Sequence, residues 1–311
     1  MAIITTGLTA TIATVFDKRF LERAKLQLTH GQFAQKRGIP SNGGTTIIFN
    51  RHSIPAVATT ALTEAANPAS ADVSSAQVCA VLLEYGSYEL ISSLYSRVSV
   101  DVKLLEQVSA YGQYMGETID VLIRTSMVSG SPTQQIASAA TAATSVGATD
   151  ILDAAEVRKA VRTLKKNKAL QLKGTKNSMV FGGIVGPEGS YDLQGDSTWQ
   201  ATQQYVQPDP MKVGLLGTFQ GVDFVETNNT YITATPAYAT WIMGSEAIGV
   251  VSIDSEDVIT PGNGTLIIKD PGPNSTNDPL NRASTIGWQV TFVPKVLNTT
   301  WLVQILHGAT A

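Results

Sequence analysis

Apolar side chains recur at helical spacing in two separate parts of the chain. The first set is spaced by three or four residues and consists of Leu104, Val108, Tyr111, Met115, Ile119 and Leu122. This spacing predicts an amphipathic helix over residues 99–129, a rod of roughly 45 Å at about 1.5 Å per residue. A second helix is predicted over residues 150–172, with Val157, Val161 and Leu164 on its inward face.

After Ser178 the pattern changes to short apolar or β-branched runs that are broken by Gly and Pro. These runs predict strands at Met179–Val185, Leu215–Phe219, Val222–Thr227, Tyr238–Met243, Ala247–Ile253, Thr265–Lys269, Thr285–Val296 and Thr300–Leu306. Helices that precede strands, without βαβ alternation, indicate an α+β protein with mostly antiparallel sheets.

A long, weakly hydrophobic segment lies between two strand-like runs in the first third of the chain. Strands are predicted at Thr45–Phe49 and Val78–Ile91. The residues between them, 55–80, are mainly Ala, Thr, Ser and Pro and cannot supply a core of their own. The pattern therefore predicts a long hairpin or loop that projects from the body, and loops of this length are usually functional or disordered.

Two other segments lack a strong apolar period. Residues 1–14 are rich in Thr and Ala and predict an extended arm, which leads into a short helix marked by Phe16, Phe20, Ala24 and Leu28. The Ala/Ser/Thr-rich residues 130–148 predict a flexible connection between the two main helices.

Charge is scarce. Of 311 residues, 43% are hydrophobic and 15% are charged, against roughly 25% charged in an average soluble domain. So low a charge indicates that much of the surface is covered by another molecule. The net charge of -3 provides no overall basic field for nucleic acid. The lysines at 165, 166 and 168 favour a solvated helix end over a DNA site, because they lie where the helix dipole attracts positive charge.

Residue patterns for catalysis, metal binding or membrane insertion are not found. His30, His52 and His307 lie in unrelated segments, and the single Cys79 cannot form an internal disulfide. The glycines at 182–186 precede Pro187 and favour a strand followed by a tight turn over a phosphate loop. No run reaches the roughly 18–20 apolar residues of a bilayer span. We expect no cofactor, no metal and no membrane partner, and a protein that is not an enzyme; a hydrolase with an unrecognised triad is an alternative.

The chain resembles a family of tailed-bacteriophage major capsid proteins. The motifs that carry the resemblance are Phe16–Leu21, Gln32–Arg37, Ile39–Pro40, Thr46–Arg51, Thr60–Glu64, Tyr85–Gly86, Val180–Pro187, Asp192–Leu193, Asp196–Trp199 and Phe224–Glu226, together with the long helix ending near Asp120. Each motif is loose, but their order and spacing cover most of the first 130 residues and recur near 180–226.

The resemblance implies the Hong Kong 97-type phage capsid fold, an α+β fold with an N-terminal arm, an extended β-hairpin loop, a long spine helix, and peripheral and axial domains. Mapped onto this chain, residues 1–38 are the N-terminal arm and 39–95 the extended loop. Residues 96–178 are the peripheral domain with the spine helix and the start of the axial domain. Residues 179–311 are mainly axial domain with returning peripheral strands.

The function that the resemblance implies is self-assembly into pentamers and hexamers of an icosahedral shell enclosing double-stranded DNA. The expected location is the virion capsid, assembled in the bacterial host cytoplasm. The expected partners are further copies of the chain, a separate scaffolding protein, portal and decoration proteins, and packaged DNA through weak non-specific contact. The expected inter-subunit contacts are Phe16, Phe33, Arg37, Arg51, Ile54, Val57, Leu62 and Glu64. The alternative is another phage or surface structural subunit, namely a tail, decoration or surface-layer protein.

Overall fold

The structure is a computed structural model with helices, mixed sheets and a separate hairpin. It describes residues 17–53, 55, 57–62, 64, 67, 70–92, 94, 104–138, 142–173, 179–205, 215–234, 237–259, 263–269 and 282–310. The α-helices are α1 (17–25), α2 (Leu104–Ser129), α3 (Ala154–Lys166), α4 (Pro187–Gly195) and α5 (Ser197–Tyr205), and short 3-10 turns lie at Ala143–Ser145 and Thr299–Trp301.

The strands form three sheets. They are β1 (Gln35–Ile39), β2 (Thr46–His52), β3 (Ser75–Val81), β4 (Leu83–Ser92), β5 (Thr133–Ile136), β6 (Leu172–Lys173), β7 (Met179–Val185), β8 (Leu215–Phe219), β9 (Val222–Glu226), β10 (Tyr231–Ala234), β11 (Ala237–Met243), β12 (Ile248–Ile253), β13 (Thr265–Lys269), β14 (Ala283–Val296) and β15 (Leu302–His307). The five-stranded sheet has the order β1-β12-β14-β13 with β4 also on β14. The eight-stranded sheet has the order β5-β15-β11-β7-β9-β8, with β10 on β11 and β6 on β7, while β2 and β3 pair by themselves.

Antiparallel pairing dominates among the described strands, as the sequence predicts. The parallel pairs are β1 with β12, β5 with β15, and β7 with β9. Each of them joins segments that are distant in the chain. Local sequence patterns predict β7, β9, β12 and β15 but not β1 or β5, and they predict none of these pairings, because parallel neighbours need long connections.

Helix α2 packs into a core that it shares with both large sheets. Its buried side chains are Val108, Met115, Ile119, Ile123 and Met127. They meet Trp288, Val290 and Phe292 of the five-stranded sheet and Ile184, Trp241 and Leu306 of the eight-stranded sheet. The opposite face of the eight-stranded sheet is covered by α3 through a second apolar cluster. The amphipathic pattern of α2 therefore reflects its position as the element between the two sheets.

Two glycines let α1 cross α2 at very short distance. A Cβ atom at Gly112 would lie 2.5 Å from the carbonyl oxygen of Phe20, and one at Gly116 would lie 2.3 Å from that of Ala24. Glycine costs about 1 kcal/mol relative to Ala within a helix. Here the absence of a side chain is what allows Phe20 and Ala24 to be completely buried against α2.

A buried carboxylate joins three parts of the chain. Asp120 of α2 accepts hydrogen bonds from the backbone N–H groups of Thr29 (2.9 Å) and His30 (2.8 Å). Nδ1 of His30 and Nδ2 of Asn229 donate to its other oxygen at 2.8 and 3.0 Å. Because a carboxylate oxygen only accepts, His30 carries the shared proton on Nδ1. We call this set the Asp120 junction.

The surroundings of Asp120 favour its ionised form. Burial alone raises the pKa of a carboxyl group, but the hydrogen bond and charge of His30, with further hydrogen bonds from Asn229 and the His30 backbone, outweigh it. The pKa of Asp120 is therefore lower than its ordinary value. One turn later, Nη1 of Arg124 donates to the carbonyl oxygens of Asn229 (2.9 Å) and Thr230 (3.0 Å), so the same loop is attached to α2 twice.

Several elements predicted from the sequence begin or end at other residues than expected. The second helix spans 154–166 and not 150–172, because Asp153 caps its start by accepting from the N–H of Glu156 and Asn167 ends it. The predicted strand Val78–Ile91 is two strands, which separate at the buried Leu82 and join different sheets. The turn expected after 186 is the start of α4, with Pro187 in its first turn, where a missing N–H costs nothing.

The predicted flexible connection at 130–148 is also wrong where the structure describes it. Strand β5 pairs in parallel with β15 at the edge of the eight-stranded sheet. The buried Glu156 accepts from Nε2 of Gln135 (2.8 Å) and from the N–H of Ser138 (3.3 Å), which ties the segment to α3. A polar composition suggested a linker, but these non-local hydrogen bonds give the segment a fixed place.

The helix crossing generates a first prediction. Gly116→Ala should destabilise the chain by about 1–3 kcal/mol, because the new methyl group forces the backbone of Ala24 away and this overpacking exceeds the gain in helix propensity. Gly195→Ala is the matched control, since that helical glycine has open space around its Cβ position. Urea unfolding followed by circular dichroism measures both. Equal stability of the two variants would contradict the close crossing.

The Asp120 junction generates a second prediction. Asp120→Asn should cost about 3–5 kcal/mol at neutral pH, because the donors around it lose a buried ionic acceptor. The native pKa lies below the ordinary 3.8, so this stability is fully present above about pH 4 and is lost as the pH falls toward the native pKa. The variant should therefore lose less stability than the parent between about pH 4 and pH 2. Asp17→Asn, at an exposed position, removes the same charge as a control; parallel acid unfolding curves for parent and Asp120→Asn would disprove the assignment.

Candidate inter-subunit surfaces

Strands β2 and β3 form a two-stranded hairpin whose backbone pairing continues one residue past the strand ends toward the loop. Its antiparallel register runs from Thr46 opposite Val81 to His52 opposite Ser75. One more backbone hydrogen bond, from the N–H of Ser53 to the carbonyl of Ser74, is 2.8 Å long. The described residues of the loop beyond this point, within 55–73, are exposed or at most partly buried. The described part of the loop therefore has little support from the rest of its own chain.

The base of the hairpin is attached to the body by an apolar cluster. Phe49, Ala80 and Leu82 pack with Ile39 and Val251 of the five-stranded sheet, and Phe49 is only 5% exposed. An isolated two-stranded hairpin is marginally stable at best in water. This cluster is consequently what holds the hairpin in a defined position.

Two arginines reinforce the base through contacts with aromatic rings. The guanidinium of Arg37 lies 5.0 Å from the ring centre of Phe49, and that of Arg51 lies 5.7 Å from the ring centre of Trp301. Cation–π contacts at exposed sites contribute about 0.5–1 kcal/mol each. Arg37 and Arg51 were expected to contact a neighbouring subunit, and the structure places both on rings of their own chain. Their contact with a neighbour stays a prediction.

The loop presents isolated apolar side chains to solvent. Val57 is 77% exposed and Leu62 is 76% exposed. Glu64, which is expected to make a charged contact with a neighbouring subunit, is also exposed and lies two residues after Leu62 in the sequence. Large apolar residues at such exposure, on a segment with little apolar support, are typical of contact surfaces. Phe16 and Ile54, which belong to the same expected set, lie outside the described residues.

Phe33 has a different environment. Its side chain is half-buried, and its ring lies over Gly182 of β7, where an added Cβ would be 2.5 Å from Cγ of Phe33. The expected inter-subunit role of Phe33 is untested. Its observed contact joins the segment before β1 to the eight-stranded sheet.

Strand β4 provides an apolar edge that the sequence analysis missed. It pairs along its ten residues with β14, and among the described strands it pairs with no other. Leu83, Tyr88 and Leu90 are exposed on it, Tyr88 at 70%. An exposed, flat edge strand is a template for pairing with another chain. The sequence pattern predicts β3 and β4 as one continuous strand, so it does not distinguish this edge strand from the hairpin.

A hydrogen bond fixes β4 to the long helix. The hydroxyl of Tyr111 donates to Glu89 at 3.0 Å. Burial and the neighbouring carboxylate of Glu89 raise the pKa of Tyr111 to about 12. The phenol therefore remains a donor throughout the ordinary pH range.

The histidines are separated in space as well as in sequence. His30 lies in the Asp120 junction, His52 is exposed on the hairpin, and His307 is buried beside Thr240, with Nε2 of the ring 2.9 Å from the hydroxyl. Burial lowers the pKa of His307. Thr240 is completely buried, so solvent does not reach this hydroxyl–imidazole pair. Within the described ranges, no group of three or more His, Cys, Asp or Glu side chains is placed to hold a metal ion.

None of the helices in the described part of the chain is long and apolar enough to cross a membrane.

Comparison with known proteins finds the fold through structure and not through sequence. No family model matches the chain, and no curated protein matches it. The capsid of Ralstonia phage GP4 superimposes with a TM-score of 0.68 at 11% identity, covering 91% of this chain and 89% of that one. The capsid of cyanophage P-SCSP1u has a TM-score of 0.62 at 14% identity, covering 91% and 88%. A cyanophage Pam1 capsid subunit has a TM-score of 0.61 at 16% identity, covering 86% of each chain.

The chain has the phage capsid fold. The expectation of a Hong Kong 97-type α+β fold is confirmed, because the similarity extends over about nine-tenths of both chains. In this capsid fold α2 is the element expected as the spine helix, and the β2–β3 hairpin lies within the expected extended loop. The division at residues 38, 95 and 178 stays a prediction.

The hairpin base generates a third prediction. Phe49→Ala removes the largest side chain of the anchoring cluster and the ring under Arg37, at a cost of about 3–5 kcal/mol for a buried Phe. Backbone amides of β2 and β3 should then exchange hydrogen at least about tenfold faster, because the hairpin opens without unfolding the body. Amides of α2 should change little.

The matched control for this prediction is Ile48→Ala. Ile48 is the neighbouring strand residue on the opposite face, where it is 47% exposed. Its truncation should leave hairpin exchange nearly unchanged. Hydrogen exchange followed by mass spectrometry measures both variants. If the two accelerate hairpin exchange equally, the apolar cluster does not anchor the hairpin.

Proposed function

We propose that the chain is a capsid shell subunit that assembles with copies of itself into pentamers and hexamers of an icosahedral shell enclosing double-stranded DNA in the virion. The observation that carries the proposal is the structural match to phage capsid subunits over about nine-tenths of both chains. The exposed loop at the end of the hairpin supports it, because apolar side chains there lack partners within the described chain. The proposed role is structural and requires no catalysis.

In the proposed assembly the loop lies across a neighbouring subunit. Val57 and Leu62 dock in shallow apolar depressions, and Phe16 and Ile54 belong to the same contact set. Glu64 forms a charged contact at the rim, where an exposed pair contributes about 0–1 kcal/mol. Each contact is weak, but closed symmetry repeats it in every subunit and makes the shell cooperative.

Edge strand β4 is a second proposed contact. Its unpaired side can accept a strand from another copy, while Tyr88 and Leu90 provide apolar contact on its surface. The low fraction of charged residues agrees with this arrangement, since burial of unpaired charge between subunits is expensive.

The remaining partners follow from the same proposal. The expected partners of such a shell are a separate scaffolding protein, a portal and decoration proteins. Assembly takes place in the cytoplasm of the bacterial host. In the proposed division, residues 1–38 form the arm and 39–95 the extended loop. Residues 96–178 contribute the peripheral domain and the start of the axial domain, and 179–311 are mainly axial.

A fourth prediction tests assembly directly. Negative-stain electron microscopy and light scattering of the full chain, at rising protein and salt concentration, should reveal rings, shells or tubes of five- and six-fold units. Val57→Asp with Leu62→Asp should abolish these particles, because both substitutions place a charge where apolar docking is proposed. The subunit itself should keep its thermal stability, since both positions are exposed.

The control is Thr59→Asp with Thr60→Asp, which adds the same charge to the same loop without removing an apolar side chain. It should retain particles. Loss of particles in both variants would point to loop charge in general and not to docking. A parent chain that stays monomeric even with co-expressed proteins of its own phage would overturn the proposed function.

A further inference from the structure

Basic residues are concentrated in one stretch of the chain. Eight of the 22 Lys and Arg residues lie between Val157 and Pro187, and this stretch contains no Asp or Glu. The chain as a whole has a net charge of -3, so the residues outside the stretch sum to -11. The molecule is therefore strongly asymmetric in charge, which its net charge conceals.

Helix α3 aligns much of this charge on one face. Val157, Val161 and Leu164 are buried in the apolar cluster against the eight-stranded sheet. Arg158, Arg162 and Lys165 are exposed and follow at intervals of four and three residues, so they form a stripe about 10 Å long on the solvent side. Lys166 and Lys168 are exposed at its end. We call these five residues the α3 basic face.

Internal ion pairing does not neutralise this face. Lys159 pairs with the buried Glu156 at 2.5 Å and is excluded from the face for that reason. Within the described ranges, none of the five residues of the α3 basic face takes part in an ion pair. The local sequence pattern alone favours a solvated helix end, but a stripe of three unneutralised charges followed by two more at the helix end is more than the helix dipole requires.

Resting on the proposed function, we infer that the α3 basic face binds the phosphate backbone of double-stranded DNA and faces the interior of the shell. Outside the stretch the chain sums to -11, and its other basic segment, residues 17–37, contains Asp17 and Glu22 and has Lys36 paired with Asp257. The α3 basic face has no acidic residue within its stretch, so it is the surface that attracts phosphates most strongly. Contacts to phosphate require positive charge but no recognition of the bases. Such contacts can therefore form with packaged DNA of any sequence.

The composition of the face favours nucleic acid over an acidic protein. Protein interfaces have aromatic or large apolar anchors at their centre. The solvent side of α3 carries, besides its charges, the polar Thr163, and the exposed Leu170 lies beyond the end of the helix. A surface of this kind binds by charge neutralisation, repeated weakly in each of many subunits.

The test uses the full chain and a fluorescent 20-base-pair duplex, with affinity measured by anisotropy at several salt concentrations. Arg158→Gln with Arg162→Gln and Lys165→Gln should weaken binding at low salt by at least about tenfold. The slope of log affinity against log salt should fall by about 2–3, since roughly one phosphate contact is lost for each charge removed. The control replaces the exposed Arg19, Arg23 and Lys295 by Gln, the same charge change elsewhere, and should alter affinity less than about twofold.

The outcomes separate this inference from the proposed function. If the α3 variant still forms particles yet loses duplex binding, the inference holds independently of assembly. If the parent forms no particles even with co-expressed proteins of its own phage but binds duplex through this face, DNA binding by the face holds, while the assembly proposal and the interior position of the face fail. Equal loss of binding in the control variant would overturn the inference, because binding would then reflect total charge. A polyglutamate of equal charge that binds more tightly than the duplex, with the same sensitivity to the α3 variant, would assign the face to an acidic protein and overturn it as well.

Discussion

The carboxylate of Asp120 is the constraint on which the arrangement of the chain depends. It is fully buried, so its charge is tolerable only while the donors of Thr29, His30 and Asn229 surround it. Those donors come from the segment after α1 and from the loop after β9. One ionised group in the middle of α2 thereby determines where the N-terminal segment leaves the helix, how Phe33 reaches Gly182, and where β1 enters the five-stranded sheet.

The body of the subunit and the β2–β3 hairpin are held by different kinds of contact. The body buries apolar side chains on both faces of the eight-stranded sheet and passes α1 over α2 at Gly112 and Gly116. Among the described residues, the contacts that join the hairpin to the body lie at its base, in the Phe49 cluster and in two arginine–ring contacts. A body with an internal core and a projection without one agrees with the proposed role as a shell subunit. In the proposed assembly, the projection gains from a neighbouring subunit the apolar contacts that its own body does not provide.

Sequence periodicity was sufficient to predict elements that bury one face along their whole length. The end of the long helix at Ser129 and strands such as Met179–Val185 and Thr265–Lys269 agree with prediction, because burial on one face leaves a local pattern. Strand β5 was missed because its place depends on β15 and on Glu156, which no local pattern records. The contact residues divide in the same way. The exposure of Val57 and Leu62 follows from the lack of apolar neighbours in sequence, whereas the rings beside Arg37 and Arg51 come from tertiary structure.

The distribution of charge connects folding with assembly. A subunit that is surrounded by copies of itself benefits from surfaces of low charge, since each buried ion must be paired or desolvated at a cost. A subunit that also encloses DNA needs positive charge on one side only, because a uniformly basic protein would bind nucleic acid on every surface and hinder closure of the shell. Both requirements are met when few residues are charged and the basic ones are grouped. Under the proposed function, the scarcity of charge over the whole chain and the dense basic run after Val157 are two consequences of one position between neighbouring subunits and nucleic acid.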